Sequence, residues 1–307
     1  FNPCIMEKIV VQVPNVDRDE RIGSVFNHLF NIIYQTEEND SDVIEWDFID
    51  TTFFHPFFLA PLVIYKQRCG KKIECINIPY YLNKYLDLVN FHAPFLIEDG
   101  MNLGELLGDY VKRSYIPVCQ FDLCNNNVDA LQTVLQGIIE RQCDASRKIT
   151  TPLSYFLGEL VCNISQHSCS KYGYIFSQYL TREKCIDLII ADDGITIFGS
   201  YVRTGKYLKN IGNNEAEALR MANEGYSTKD LPDTENRGFG ISTSKSMLVD
   251  GLKGAFFMLS GGAFHRHDSN VNVFIKLPET INWNGTIILM RIPVTVPANF
   301  NYLKYIR

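Results

Sequence analysis

The chain has 307 residues, of which 46% are apolar and 21% charged, and a formal net charge of −6. That length suits two domains better than one, and the composition excludes wholesale disorder. An acidic balance with no basic block argues against a nucleic-acid partner, whose phosphates need a basic face.

Residues 5–13 alternate as a strand, and 19–34 carry Ile22, Val25, Phe26, Leu29, Ile32 and Ile33 at near-helical spacing. A strand at 43–48, a helix at 57–69 stopped by Gly70, a strand at 72–78 and the amphipathic helix YLNKYLDLVNF follow. Strands alternating with helices of this length indicate an α/β unit. This order resembles the STAS domain of anti-sigma-factor antagonists, above all in the strand–loop–helix IEWDFIDTTFFHPFFLAPL. In that family an Asp-Ser pair opens the helix, and a partner kinase phosphorylates the Ser. His55-Pro56 stands at that position, and Thr51 and Thr52 come before the loop, so the phosphoacceptor is missing. For residues 1–98 the resemblance implies a non-phosphorylatable interaction or regulatory domain; the alternative is a generic small α/β domain.

Residues 99–127 contain glycines and an Asn-Asn-Asn run, and read as a connection plus the entry strand of a second domain over 128–307. Leu131, Val134, Leu135, Ile138 and Ile139 form one stripe of a helix over 128–142. Another helix, 152–167, buries Leu153, Phe156, Leu157, Leu160, Val161 and Ile164 and aligns Glu159, Asn163 and His167 on a second face. An Asn oxygen on that line suits Mg²⁺, and a carboxylate one turn earlier can orient or deprotonate a water or hydroxyl.

The strand CIDLIIADDGI ends on Asp192, Asp193 and Gly194; a carboxylate there can accept from a base amino group. NRGFGIS places Gly238 and Gly240 before the helix STSKSMLVDGL, where glycines let backbone N–H groups approach phosphate. Arg237 and Lys245 are the candidate charge partners. Residues 199–236 are polar and include the helix-like EAEALRMANEG, and GAFFMLSGGA, VNVFIKLP and GTIILMRIPV read as closing strands.

ELVCNISQH, ADDGI, NRGFGIS and NGT, in this order, resemble the Bergerat-type ATP site of the GHKL superfamily, the first being most similar to anti-sigma-factor serine kinases. The resemblance implies a two-layer α/β sandwich, with helices on a mixed sheet, that binds ATP and Mg²⁺. It assigns Asn163 to the metal, Glu159 to the catalytic base, Asp192 and Thr286 to the adenine edge, Gly194 to room for the base, and Arg237, Gly238 and Gly240 to the phosphates. Residues 199–236 take the place of the ATP lid. Thr196 stands where the pattern DxGxG has its second glycine. The implied function is a nucleotide-dependent protein-interaction switch, with possible kinase activity on a STAS-like or sigma-factor-pathway partner. A slow ATPase and an adaptor that binds no nucleotide are the alternatives, and a homodimer is compatible with either.

Nine cysteines are present with no Cys-x-x-Cys pair, and Cys119 and Cys124 lack a matching Cys/His pair. They predict no zinc site but reduced thiols in a cytoplasmic protein. His265 and His267 lack a third ligand and predict no metal site. No apolar run reaches the roughly 18–20 residues that span a bilayer, and a signal-peptide pattern is absent.

Overall fold

The computed structural model describes residues 9–17, 20–98, 100–123, 128–144, 147–167, 169–228 and 240–306. The chain divides into two compact units, Phe1–Pro94 with Pro278–Ile281, and Phe95–Leu277 with Asn282–Arg307. Both are mixtures of helix and strand. Among the described residues no helix is long and apolar enough to cross a membrane.

The smaller unit runs β1 (Ile9–Gln12), α1 (Ile22–Glu37), β2 (Val43–Asp47), α2 (Pro56–Arg68), β3 (Lys72–Ile76) and α3 (Tyr80–Leu88). Its three strands are parallel in the order β1-β2-β3, the pairing that helical crossovers impose. Helix α2 has ten buried residues, Pro56 to Tyr65, because its sequence is apolar on every side. Pro56 occupies its first turn, where the missing N–H removes no bond, and His55 Nδ1 accepts from the Phe57 N–H at 3.1 Å. The His55-Pro56 pair, matched by the resemblance to an Asp-Ser pair, is thus a helix cap followed by the first helical residue. Thr51 is buried, donating to the Val13 carbonyl, whereas Thr52 donates to Asn15 Oδ1. At the end of β2, Asp47 accepts from Gln12 Nε2 (3.2 Å), Asn77 Nδ2 (3.0 Å) and the Ile49 N–H (3.0 Å). Burial pushes its carboxyl upward, but those three hydrogen bonds outweigh burial and hold it below the usual range.

The larger unit begins earlier than the sequence pattern suggests. β4 (Phe95–Ile97) and β5 (Tyr115–Asp122) pair in parallel, with α4 (Leu103–Gly108) between them. Residues 99–127, expected as a connection plus an entry strand, do hold that strand as β5, and they add the helix α4. A three-residue strand such as β4 is too short to show a period, and its pairing partner lies beyond α4.

α5 (Val128–Gln142) and α6 (Arg147–His167) follow, then β6 (Tyr172–Leu180) and β7 (Cys185–Asp192). α6 starts before Pro152, which deprives an established helix of one bond. β6, absent from the expectations, pairs with both β5 and β7. Three helices come next, α7 (Ile197–Thr204), α8 (Leu208–Ile211) and α9 (Glu215–Asn223), held by a cluster of Tyr201, Ile211, Ala218 and Met221. Much of the stretch expected to be a polar lid is thus helical.

α10 (Gly240–Ser246) runs into a π-turn at Met247–Gly251. β8 (Ala255–Gly261), β9 (Ala263–His267), β10 (Asn272–Lys276) and β11 (Trp283–Pro293) complete an eight-stranded sheet, ordered β10-β9-β8-β11-β7-β6-β5-β4. Among the described residues only the β4–β5 pair of this sheet is parallel. Alternate residues of β7 (Ile186, Leu188, Ile190) join Leu135, Ile139, Phe156, Leu157 and Leu160 of α5 and α6 in one core. This core fixes which face of α6 is left for chemistry.

Candidate functional site

Glu159, Asn163, Asp192, Gly240 and Thr286 line one pocket in the larger unit. Residues more than a hundred positions apart meet there because β7 and β11 are neighbours and α6 and α10 pack on each other.

On α6 the core takes Phe156, Leu160 and Ile164, and Glu159 and Asn163, four residues apart, share another face. The Glu159 carboxylate lies against Gly240, where any Cβ would overlap it. Glycine at 240 therefore permits close approach of α10 to α6. Tyr155 is pushed up first by burial and second by the charge of Glu159, while a hydrogen bond with Thr243 opposes the rise. The Nδ2 atom of Asn163 is buried and has no hydrogen-bond partner among the described residues. A polar atom left so is destabilising unless a ligand satisfies the carboxamide.

Asp192 ends β7, is 2% exposed, and accepts from the Gly194 N–H at 2.9 Å. Gly285 packs on it with φ +83°, and a Cβ there would collide with the Asp192 backbone and carboxylate. Sequence reasoning missed Gly285 as a site residue; its position just before Thr286 was the available signal. Ser260 was missed as well. It stands opposite Thr286 in the β8–β11 ladder, with the two hydroxyl oxygens 3.2 Å apart. Apolar lining comes from Ile164, Ile195, Ile197, Ala222, Met258 and Ile288. Also in the lining, Ser200 and Thr228 share a hydrogen bond at 2.8 Å, and the Tyr201 hydroxyl donates to the Tyr226 carbonyl.

Thr196, expected as a departure from a glycine pattern, has an extended backbone with φ −72° and caps α7, its Oγ1 accepting from the Gly199 N–H at 2.9 Å. Such a backbone has no need of glycine, and a threonine cap stabilises the helix by about 1 kcal/mol.

Lys245, proposed as a phosphate partner, does not line the pocket. It is 7% exposed, with Nζ 3.2 Å from Asn223 Oδ1 and 3.4 Å from His265 Nε2. Burial lowers the ammonium to about 8. Burial, reinforced by Lys245, lowers His265 to about 3, and its Nδ1 faces the Val273 carbonyl at 2.9 Å. Arg237 and Gly238 lie outside the described residues, as does the side chain of His167.

Among the described residues, no three His, Cys, Asp or Glu converge as a metal cage. The carboxamide oxygen of Asn163, and Glu159 one turn away, are the donor types for an ion that takes a few hard oxygen donors from protein and the rest from phosphate and water; the Nδ2 atom, unpartnered among the described residues, instead calls for an acceptor. Compared with known proteins, the chain matches no family model and no curated sequence.

Proposed function

We propose that the larger unit is a GHKL-type nucleotide-binding domain that takes ATP and Mg²⁺ in this pocket. Within that class the reading is a switch of the anti-sigma-factor kinase type, with the smaller unit as a STAS-like regulatory domain. One observation carries it: four separated sequence motifs contribute Glu159, Asn163, Asp192, Gly240 and Thr286 to a single cavity.

Asp192 accepts the amino group of the base, Gly194 and Gly285 keep bulk away from it, and Thr286 meets its edge. Ile195, Met258 and Ile288 supply apolar surface for the ring. Asn163 gives an oxygen to Mg²⁺, which when bound neutralises phosphate charge. Glu159 orients or deprotonates the attacking hydroxyl or water. Gly240, with Gly238 and Arg237 from the same sequence motif, serves the phosphates. Nucleotide state then sets the conformation that a protein partner reads, with the γ-phosphate passing to a Ser or Thr of a STAS-like partner or to water.

Titration of the full chain with a non-hydrolysable ATP analogue, with and without Mg²⁺, tests this reading. Wild type is expected to bind more tightly with Mg²⁺, and Asn163→Ala to lose about tenfold of that Mg²⁺-dependent affinity. Absence of binding by wild type would leave only the adaptor reading. Labelled phosphate on a partner protein rather than in solution would separate kinase from ATPase.

A further inference from the structure

Ser260 in β8 is 3% exposed and has three polar neighbours. Its hydroxyl donates to the Gly285 carbonyl at 3.0 Å, and its oxygen accepts from the Ile197 N–H at 2.9 Å. Its third neighbour is Thr286 Oγ1, 3.2 Å away. A serine hydroxyl has one proton and two lone pairs. The carbonyl of Gly285 can only accept, so it takes the proton; the Ile197 N–H can only donate, so it takes one lone pair. What remains for Thr286 is the second lone pair, and the Thr286 proton must point toward Ser260. Thr286 then offers the pocket an oxygen that accepts. Asp192, which lines the same pocket, only accepts when ionised.

We propose that Ser260 is a positioning residue that fixes the polarity of Thr286, so that Thr286 and Asp192 both present acceptors to the pocket. Two such acceptors select a heterocycle that carries an amino group over one without it. Because Ser260 also holds the first N–H of α7, the same hydroxyl joins base selection to the start of that helix. The proposal rests on the nucleotide reading above.

ATP and purine riboside triphosphate differ only in the amino group, ring N1 being an acceptor in both, and their dissociation constants give the test. Wild type should prefer ATP by about tenfold or more. Ser260→Ala releases the Thr286 proton to the pocket and should shrink that preference by about fivefold, whereas the same change in a Thr286→Val background should leave the preference unaltered. A purely structural role for Ser260 would lower both affinities together. An unchanged preference in Ser260→Ala, or an equal change in the Thr286→Val background, overturns the proposal. Should Ser260→Ala fail to fold, Thr286→Val decides by sign. Loss of an acceptor weakens ATP more than purine riboside triphosphate; the reverse order overturns the assignment. A wild type that binds both nucleotides equally also overturns it, leaving the nucleotide site intact, while one that binds neither overturns both readings.

Discussion

Asp47 in the smaller unit and Asp192 in the larger both end a strand with little exposure, yet their surroundings differ in kind. Around Asp47 the chain converges amide donors: Gln12, Asn77 and the Ile49 N–H all reach the carboxylate. Around Asp192 it places glycines: Gly194 donates only a backbone N–H, and Gly285 approaches with no side chain. One arrangement makes a hydrogen-bonded corner and the other leaves a cavity that the carboxylate lines. An acid at a strand end therefore becomes a site only where its neighbours are small enough to leave room.

Swapping each aspartate for alanine breaks or confirms that contrast most directly. Asp192→Ala should lower ATP-analogue affinity about 100-fold, the scale of a hydrogen bond to a charged group, with a shift in unfolding midpoint of only a few degrees. Asp47→Ala should do the opposite, destabilising by about 1 kcal/mol through lost hydrogen bonds whose donors sit on exposed residues, and leaving affinity within about twofold. Isothermal titration and urea unfolding of the two variants read both numbers; a binding loss in Asp47→Ala would end the distinction.

Acid should also act on the larger unit through His265. Burial beside Lys245 lowers the folded imidazole to about 3 from its ordinary value of 6.5. Between those two values the unfolded chain holds a proton that the folded unit does not. The stability is therefore complete above pH 6.5 and is lost as pH falls toward 3. From pH 6.5 to 5 the loss is about 2 kcal/mol, measurable by urea unfolding and expected to shrink in His265→Phe. His92 in the smaller unit is shifted in the same direction by burial, so hydrogen exchange resolved by unit is the sharper measurement. Equal acid sensitivity of wild type and His265→Phe would remove His265 as the cause.

The smallest effect is expected at Thr196. Thr196→Gly removes the α7 cap and should cost a few tenths of a kcal/mol, seen as faster amide exchange over 197–204, with nucleotide affinity nearly unchanged. A gain in affinity would mean that the pocket wants a glycine there after all.

How much of this was legible beforehand follows from the range of the interactions. The helical faces of α1, α5 and α6 were readable because a core-facing stripe repeats every turn, and Glu159 and Asn163 fall on one face by the same spacing. β7 was readable as an apolar run closed by acids. β4 was not, being three residues paired to a distant strand, and β6 went unrecognised although both its neighbours are strands. Lys245 looked like a cation after a glycine motif, and nothing local reveals that Asn223 and His265 surround it. Thr196 looked like a lost glycine because its backbone angles, which a threonine adopts readily, are set by the start of α7.

By itself the sequence determined the local periods, the α/β character of both units and the residue types a nucleotide site would need, since each depends on neighbours within a few turns. The tertiary structure alone decided that the sheet starts at Phe95, that Gly285 must be glycine, and that the single Ser260 proton fixes which way Thr286 points. Those depend on strands and helices distant in the chain being brought within a hydrogen bond's length, and no periodicity encodes that distance.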